Sequence, residues 1–392
     1  MRRRYFDHIA ATPVHPDVTA ALLPFLGETF GNPQSLHTDG QTALAAVEEA
    51  REKVAALLGA KPEEILFTSS GSESNNFAVK GIALANEARG KHLVVSAVEH
   101  PSVLNPAKSL EKRGFRTTIV PVDRFGRVDP ADVEKALTPE TILVSVMTAV
   151  SEVGTIEPVG EIARLCRARK VLVHTDAVAA AGSIPIDVKA LDVDALSLSA
   201  NQFYGPRGAA AVYVRKGVRV LPLVEGGLQE GGRRAGSEDV PAVVGMGRAA
   251  ALAVERLEAR RAESLSLRDR LIAELPRRVE RVILTGHPTE RLPHHASFCV
   301  EFIEGEAMLL HLDMKGISVS SGSACTSKSL KASHVLLAMG LDHALAQGSV
   351  VFSLVEDTPG EDVDYVLDVF PPIIDRLRTM SPLWTKFLQE KT

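Results

Sequence analysis

"TILVSVM", residues Thr141 to Met147, is apolar at nearly every position. A strand with one face in water alternates apolar and polar side chains, whereas a strand covered on both faces has no such need. The stretch therefore reads as a central strand with helices packed above and below it. Outward from it, "EILFT" (64–68), "HLVVSA" (92–97), "VLVHTD" (171–176), "ALSLSA" (195–200) and "AAVYV" (210–214) have the same character and alternate with helical stretches. The first clear helix is "TALAAVEEAREKVAALLG" (42–59). Leu44, Val47, Val54, Leu57 and Leu58 keep to one face and Gly59 closes it. The fold class is α/β with a mostly parallel sheet, and ligands of such sheets sit beyond the carboxyl ends of the strands.

Beyond Pro241 the pattern changes to a long helical tract, residues 243–275, which reads as a connector. It leads to a second unit with strands "RVILTG" (281–286) and "ASFCVEF" (296–302) and helices near 330–340 and over 360–379. The expected division is a large unit over 15–255 and a small α+β unit made from 1–14 and 256–392.

Hydrophobic residues make up 45% and charged residues 24% of the 392, the balance of an ordinary globular chain. A net charge of −5 gives no electrostatic support for binding nucleic acid. The basic start, "MRRRYFDHIA", is not followed by the apolar run of a signal peptide, and no stretch approaches the ~18 apolar residues of a membrane span. Three cysteines, Cys166, Cys299 and Cys325, are few and widely spaced, so they indicate neither a disulfide framework nor a metal site, and the reducing cytoplasm is the expected compartment.

Four segments carry candidate chemistry. In "FTSSGSESNN" (67–76), Gly71 lets the backbone approach a ligand. Ser72 sets a hydroxyl beside the open N–H groups of a first helical turn, an anion site or a plain cap. Asp176 ends the strand "VLVHTDA". It either caps the next helix or pairs with a cation, and a protonated pyridine nitrogen is one such cation. His100 in "SAVEHPSVL" (96–104) also stands at a strand end, where it either caps a helix or stacks on a flat ring. Cys325 lies in the small-residue loop "SVSSGSACTSKSL" (318–330), with access suited to a nucleophilic thiolate. Cys166 and Cys299 fall in apolar periodic segments and read as core.

Together and in this order, these segments resemble the cysteine desulfurases, fold-type I pyridoxal-phosphate enzymes of the class V aminotransferase group. The likeness runs almost end to end and also includes "YFDHIAATPV" (5–14), "FGNPQSLH" (30–37), "EVGTIEPV" (152–159), "FYGPRGAAAVYVR" (203–215) and "GGRRAGSEDVP" (231–241). The resemblance implies a homodimer with Ser72, Ser199 and Ser237 on the cofactor phosphate, Ser237 reaching across the dimer interface. His100 would stack on the ring, Asp176 would hold its nitrogen, Asn32 would meet the substrate carboxylate, and Cys325 would take sulfur as a persulfide.

The chain also departs from that family. Gln202 stands where the family has the lysine that links to the cofactor, and an amide has neither the nucleophilicity nor the basicity for that work. Asn201 replaces a histidine, Ser151 an asparagine and Ala179 a glutamine, while Val351 replaces an arginine that would clamp the substrate carboxylate. Changes in five places point to divergence of the whole site. Three alternative functions are consistent with this. The first is a desulfurase homologue without standard turnover that handles sulfur or an iron–sulfur cluster through Cys325. The second is a working desulfurase or lyase holding pyridoxal phosphate non-covalently. The third is a non-catalytic scaffold for an iron–sulfur or sulfur-carrier partner.

Overall fold

The structure, a computed structural model, describes residues 2–321 and 332–391. From the amino end come β1 (Arg4–Tyr5), α1 (Pro16–Leu22), α2 (Thr38–Leu58), β2 (Ile65–Thr68), α3 (Gly71–Ala85), β3 (His92–Ser96), α4 (Pro101–Leu110) and β4 (Arg116–Val120). Next are α5 (Pro130–Ala136), β5 (Thr141–Ser145), α6 (Val159–Ala168), β6 (Leu172–Asp176), α7 (Val188–Leu191), β7 (Ala195–Ser199), β8 (Ala210–Val214) and the long α8 (Val240–Arg278). The last elements are β9 (Val282–Leu284), β10 (His295–Val300), α9 (Gly305–Met314), β11 (Ile317–Ser318), α10 (His334–Ala338), α11 (His343–Gln347), β12 (Ser349–Ser353), α12 (Gly360–Thr379) and α13 (Pro382–Lys391).

The large sheet has seven strands in the order β2-β8-β7-β6-β5-β3-β4, and only β8 runs against the rest. Every residue of β2, β3, β5, β7 and β8 is buried, as expected of strands covered on both faces. On β5, Leu143 packs into the layer of α3 and α4 with Phe77, Ile82 and Val103, while its neighbour Val144 packs into the opposite layer with Val47 and Val54 of α2 and Met246 of α8. Such burial contributes about 1.5–3 kcal/mol for each large apolar side chain. Gly59 ends α2 at φ 65°, the left-handed conformation that glycine adopts without a Cβ penalty.

A three-stranded antiparallel sheet, β12-β10-β9, forms a second core with α9, α12 and the end of α8. Phe6 inserts into it beside Phe298, Phe352 and Phe370. On β10, Phe298 and Val300 face this core, while Cys299 turns the other way to pack with Met147, Val153 and Val335. Cys166 and Cys299 are both fully buried, and burial pushes both thiols up to about 12.

Several elements are absent from the sequence reading. β4 is an edge strand with only Val120 fully buried, so its residues need no apolar pattern. The segment "SVVFS" (349–353) forms β12, and α9 and α13 were likewise unforeseen. The helix read from Thr42 onward, α2, begins four residues earlier than its apolar pattern, capped by the His37 side chain.

Candidate active site

The parallel strands bring several chain segments to one edge of the sheet. β6 ends at Asp176 and β7 at Ser199, while α3 starts just after β2 and α4 just after β3. Gly71, the first residue of α3, approaches so closely that a Cβ there would stand 2.7 Å from Val178 Cγ2 and 3.6 Å from Ser199 Cβ. A side chain at this position would force Val178 to shift. Ser70 caps α3 by accepting from the Glu73 N–H, which leaves Ser72 exposed on the first turn.

Asp176 is buried, and its two carboxylate oxygens divide between partners. Oδ1 accepts from the Val178 N–H at 2.9 Å and Oδ2 from Asn75 Nδ2 at 2.6 Å. Burial pushes this carboxyl above its usual range, and the two hydrogen bonds and nearby His100 oppose that push. None of these partners is a lysine or an arginine.

His100 caps α4, and its Nδ1 accepts from the Ser102 N–H at 3.1 Å and lies 2.7 Å from Ser102 Oγ. Asn75 Nδ2 also donates to Ser102 Oγ at 2.9 Å, so the hydroxyl proton goes to His100 and the ring carries its own proton on Nε2. Burial lowers the His100 pKa and keeps the ring neutral. Asp176, Asn75, Ser102 and His100 thus form one hydrogen-bonded chain. Asn75 and Ser102 were missed in the sequence reading, although Asn75 stands four residues after Gly71, one turn further on the same helix face.

Ser199 donates to Asn201 Oδ1 at 2.6 Å. Gln202 donates from Nε2 to the Ile9 carbonyl at 2.9 Å. Asn32 and Ser237 are both exposed, and Asn32 Oδ1 accepts from the Gln34 N–H at 2.9 Å. Their segments meet through Gln34 Nε2 and Glu238 Oε1 at 3.2 Å. The Ser237 segment is held to the sheet by Arg234 on Glu73 and Ser69, and by a pair between Glu230 and Arg51 with oxygen–nitrogen distances of 2.8 and 2.9 Å.

At the positions of departure, Ser151 accepts at its carbonyl from His295 Nε2, and Ala179 is partly buried. Val351, only 1% exposed, pairs with Ser297 on β10 and points away from the core that takes Val350 and Phe352. Cys325 lies outside the described residues.

The model of the class-V aminotransferase family matches residues 4–366. The chain is 49% identical over 381 residues to the cysteine desulfurase IscS of Dictyoglomus turgidum, covering 97% of each. To the cysteine desulfurase IscS of Methanosarcina thermophila it is 48% identical over 382 residues, 97% of this chain and 94% of the other. A solved NifS-like protein superposes with a TM-score of 0.90 at 38% identity, covering 96% of this chain and all of that one. Another, from Rickettsia africae, gives 0.85 at 28% identity over 95% of this chain and 100% of its own.

Proposed function

The chain belongs to the cysteine desulfurase family of the class-V aminotransferases, and we propose that it handles sulfur through Cys325 while holding pyridoxal phosphate without a covalent link and without standard desulfuration. The observation that carries this reading is the Gln202 carboxamide, bonded to the Ile9 carbonyl at 2.9 Å where the family has its lysine. An amide nitrogen does not condense with an aldehyde and does not move a proton at a substrate carbon.

The rest of the site suits the cofactor. A buried carboxylate with no lysine or arginine among its hydrogen-bond partners in the described residues, Asp176, fits a protonated pyridine nitrogen. Asn75 Oδ1 is buried there without a hydrogen-bond partner among the described residues. Ser72, Ser199 and the open turn of α3 would hold the phosphate, with Ser237 added from a second copy. His100, fixed by Ser102, would lie on the ring. Bound there, pyridoxal phosphate supplies an electron sink. The chain's own residues bind and orient it, while no group at residue 202 attaches it.

We further read the protein as a homodimer in the reducing cytoplasm that docks an iron–sulfur scaffold or sulfur acceptor. Leu23, Leu26, Phe30, Leu36 and Leu228 are 55–93% exposed on segments flanking Asn32 and Ser237, an apolar surface suited to a second copy.

The test is the visible spectrum before and after dialysis, with mass spectrometry after borohydride reduction. A cofactor that dialyses away and is fixed to no lysine supports the proposal. Cofactor fixed to any lysine, or sulfide release from cysteine that Gln202→Lys does not increase, would overturn it.

A further inference from the structure

β3 and β5 lie side by side as far as the pair Val95 and Ser145, and then part. Beyond Ser145 the chain keeps bonding to the β6 side. The Val146 N–H donates to the His174 carbonyl at 3.2 Å and the Thr148 N–H to the Asp176 carbonyl at 2.8 Å. The Met147 N–H between them faces the side that β3 has left, where a dry, unpaired donor would be costly. Glu99, the residue before His100, fills that gap. Its side chain is fully buried, and Oε1 accepts from the Met147 N–H at 2.7 Å and from Ser96 Oγ at 2.6 Å. Its own carbonyl accepts from His334 Nε2 on α10 at 3.0 Å.

Both donors meet the same oxygen, while Oε2 is buried without a hydrogen-bond partner among the described residues. That division fits a neutral carboxylic acid, whose carbonyl oxygen takes the donors and whose hydroxyl carries the proton. Burial holds this carboxyl well above its ordinary value. The bonds from Ser96 and Met147 oppose that rise, and the charges of Asp176 and Glu157 add to it. An amide of the same shape can therefore stand in for the acid.

We propose that Glu99 is the positioning residue of His100: bonded to β3, β5 and α10, it fixes the peptide from which the imidazole projects. The ring is held at Nδ1 by Ser102, on the helix side. Glu99 holds the strand side, so the chain can leave the sheet at Ser96 and still deliver His100 to α4 in one orientation. Ser96 and Met147 supply the two donors, and neither belongs to the chain of Asp176, Asn75, Ser102 and His100.

The test uses the full chain and two readouts, because the role of Glu99 toward the cofactor rests on the reading above that His100 lies on its ring. The first, NMR titration of the His100 ring without cofactor, does not depend on that reading, and a His100→Asn spectrum assigns the signal. Wild type and Glu99→Gln should titrate below the ordinary histidine value of 6.5. Glu99→Ala should move toward that value as the ring loses its buried setting, a shift that a general loss of stability would not produce. In the second, equilibrium dialysis of pyridoxal phosphate, Glu99→Ala should bind about tenfold more weakly and Glu99→Gln like wild type. Glu99→Asp, one methylene short of both donors, takes the place of the alanine variant should that one not fold. An unshifted His100 titration in the alanine or aspartate variant, or a glutamine variant that behaves like them in either readout, would overturn the proposal. A shifted titration in a wild-type background that binds no pyridoxal phosphate would leave Glu99 its role and remove the cofactor from the proposed function.

Discussion

The Asn75 side chain donates to Asp176 at 2.6 Å and to Ser102 at 2.9 Å, joining the strand-end carboxylate to the helix cap made by His100. Both amide protons are spent in this way, so one residue sets the carboxylate and, through Ser102, the imidazole. Asn75→Ala should therefore cost about 1–3 kcal/mol of stability by urea denaturation, since it leaves a buried carboxylate short of a donor. It should also weaken retention of pyridoxal phosphate. Unchanged stability together with unchanged cofactor retention would show that the chain of hydrogen bonds is incidental.

Glu230 accepts from Arg51 through both oxygens and from the Phe67 N–H at 3.0 Å, and its side chain is only 4% exposed. Glu230→Ala would leave the Arg51 guanidinium with Glu48 and the Ile65 carbonyl and the Phe67 N–H without its acceptor, at an expected cost of about 1–3 kcal/mol. Because the same contact anchors the segment that carries Ser237, limited proteolysis should cleave near residues 225–240 before other loops. Intact resistance there would separate the ion pair from the order of that segment.

Burial raises Glu152 to about 7 and Glu157 to about 8, from an ordinary value of 4.5. Each is protonated in the fold where the unfolded chain has lost the proton, so their contribution is full below pH 4.5 and is lost as pH rises to about 8. His8, His174 and His294 are lowered to about 4, 3 and 4 by burial, and their effect has the opposite sign but is complete about one pH unit above their ordinary value of 6.5. From about pH 7.5 to 8.5 the acids outweigh the histidines, and Tm should fall across that window. Glu157→Gln should flatten the fall. A wild-type Tm that rises over this window would contradict the assignment.

Gln202→Lys should allow covalent attachment of pyridoxal phosphate, detectable by mass spectrometry after borohydride reduction. On the proposed function it should not restore good desulfuration, because Val351 would then stand where the family's carboxylate-clamping arginine is expected. A charge-assisted hydrogen bond is worth about 1.5–3 kcal/mol, so Gln202→Lys/Val351→Arg should exceed the single variant by about 10–100-fold in kcat/KM for cysteine. Equal sulfide release by the two variants would remove the missing arginine from the explanation.

Much of this protein was legible in its sequence because the signals are local. Strands such as β5 and β8 are covered on both faces and carry nearly continuous apolar runs, and Gly59 marks the end of α2 by its own backbone freedom. The place of Asp176 at a strand end and the loss of an amine at Gln202 are set by residue identity within short motifs. The edge strand β4 left no such mark, since solvent on its outer side removes the need for an apolar pattern. Tertiary structure alone decided which polar groups meet: Asn75 and Asp176 are 101 residues apart, and Arg51 and Glu230 are 179 apart. Hydrophobic periodicity depends on neighbours along the chain. The partner of a buried polar group depends on which distant segment the packed core brings within about 3 Å of it.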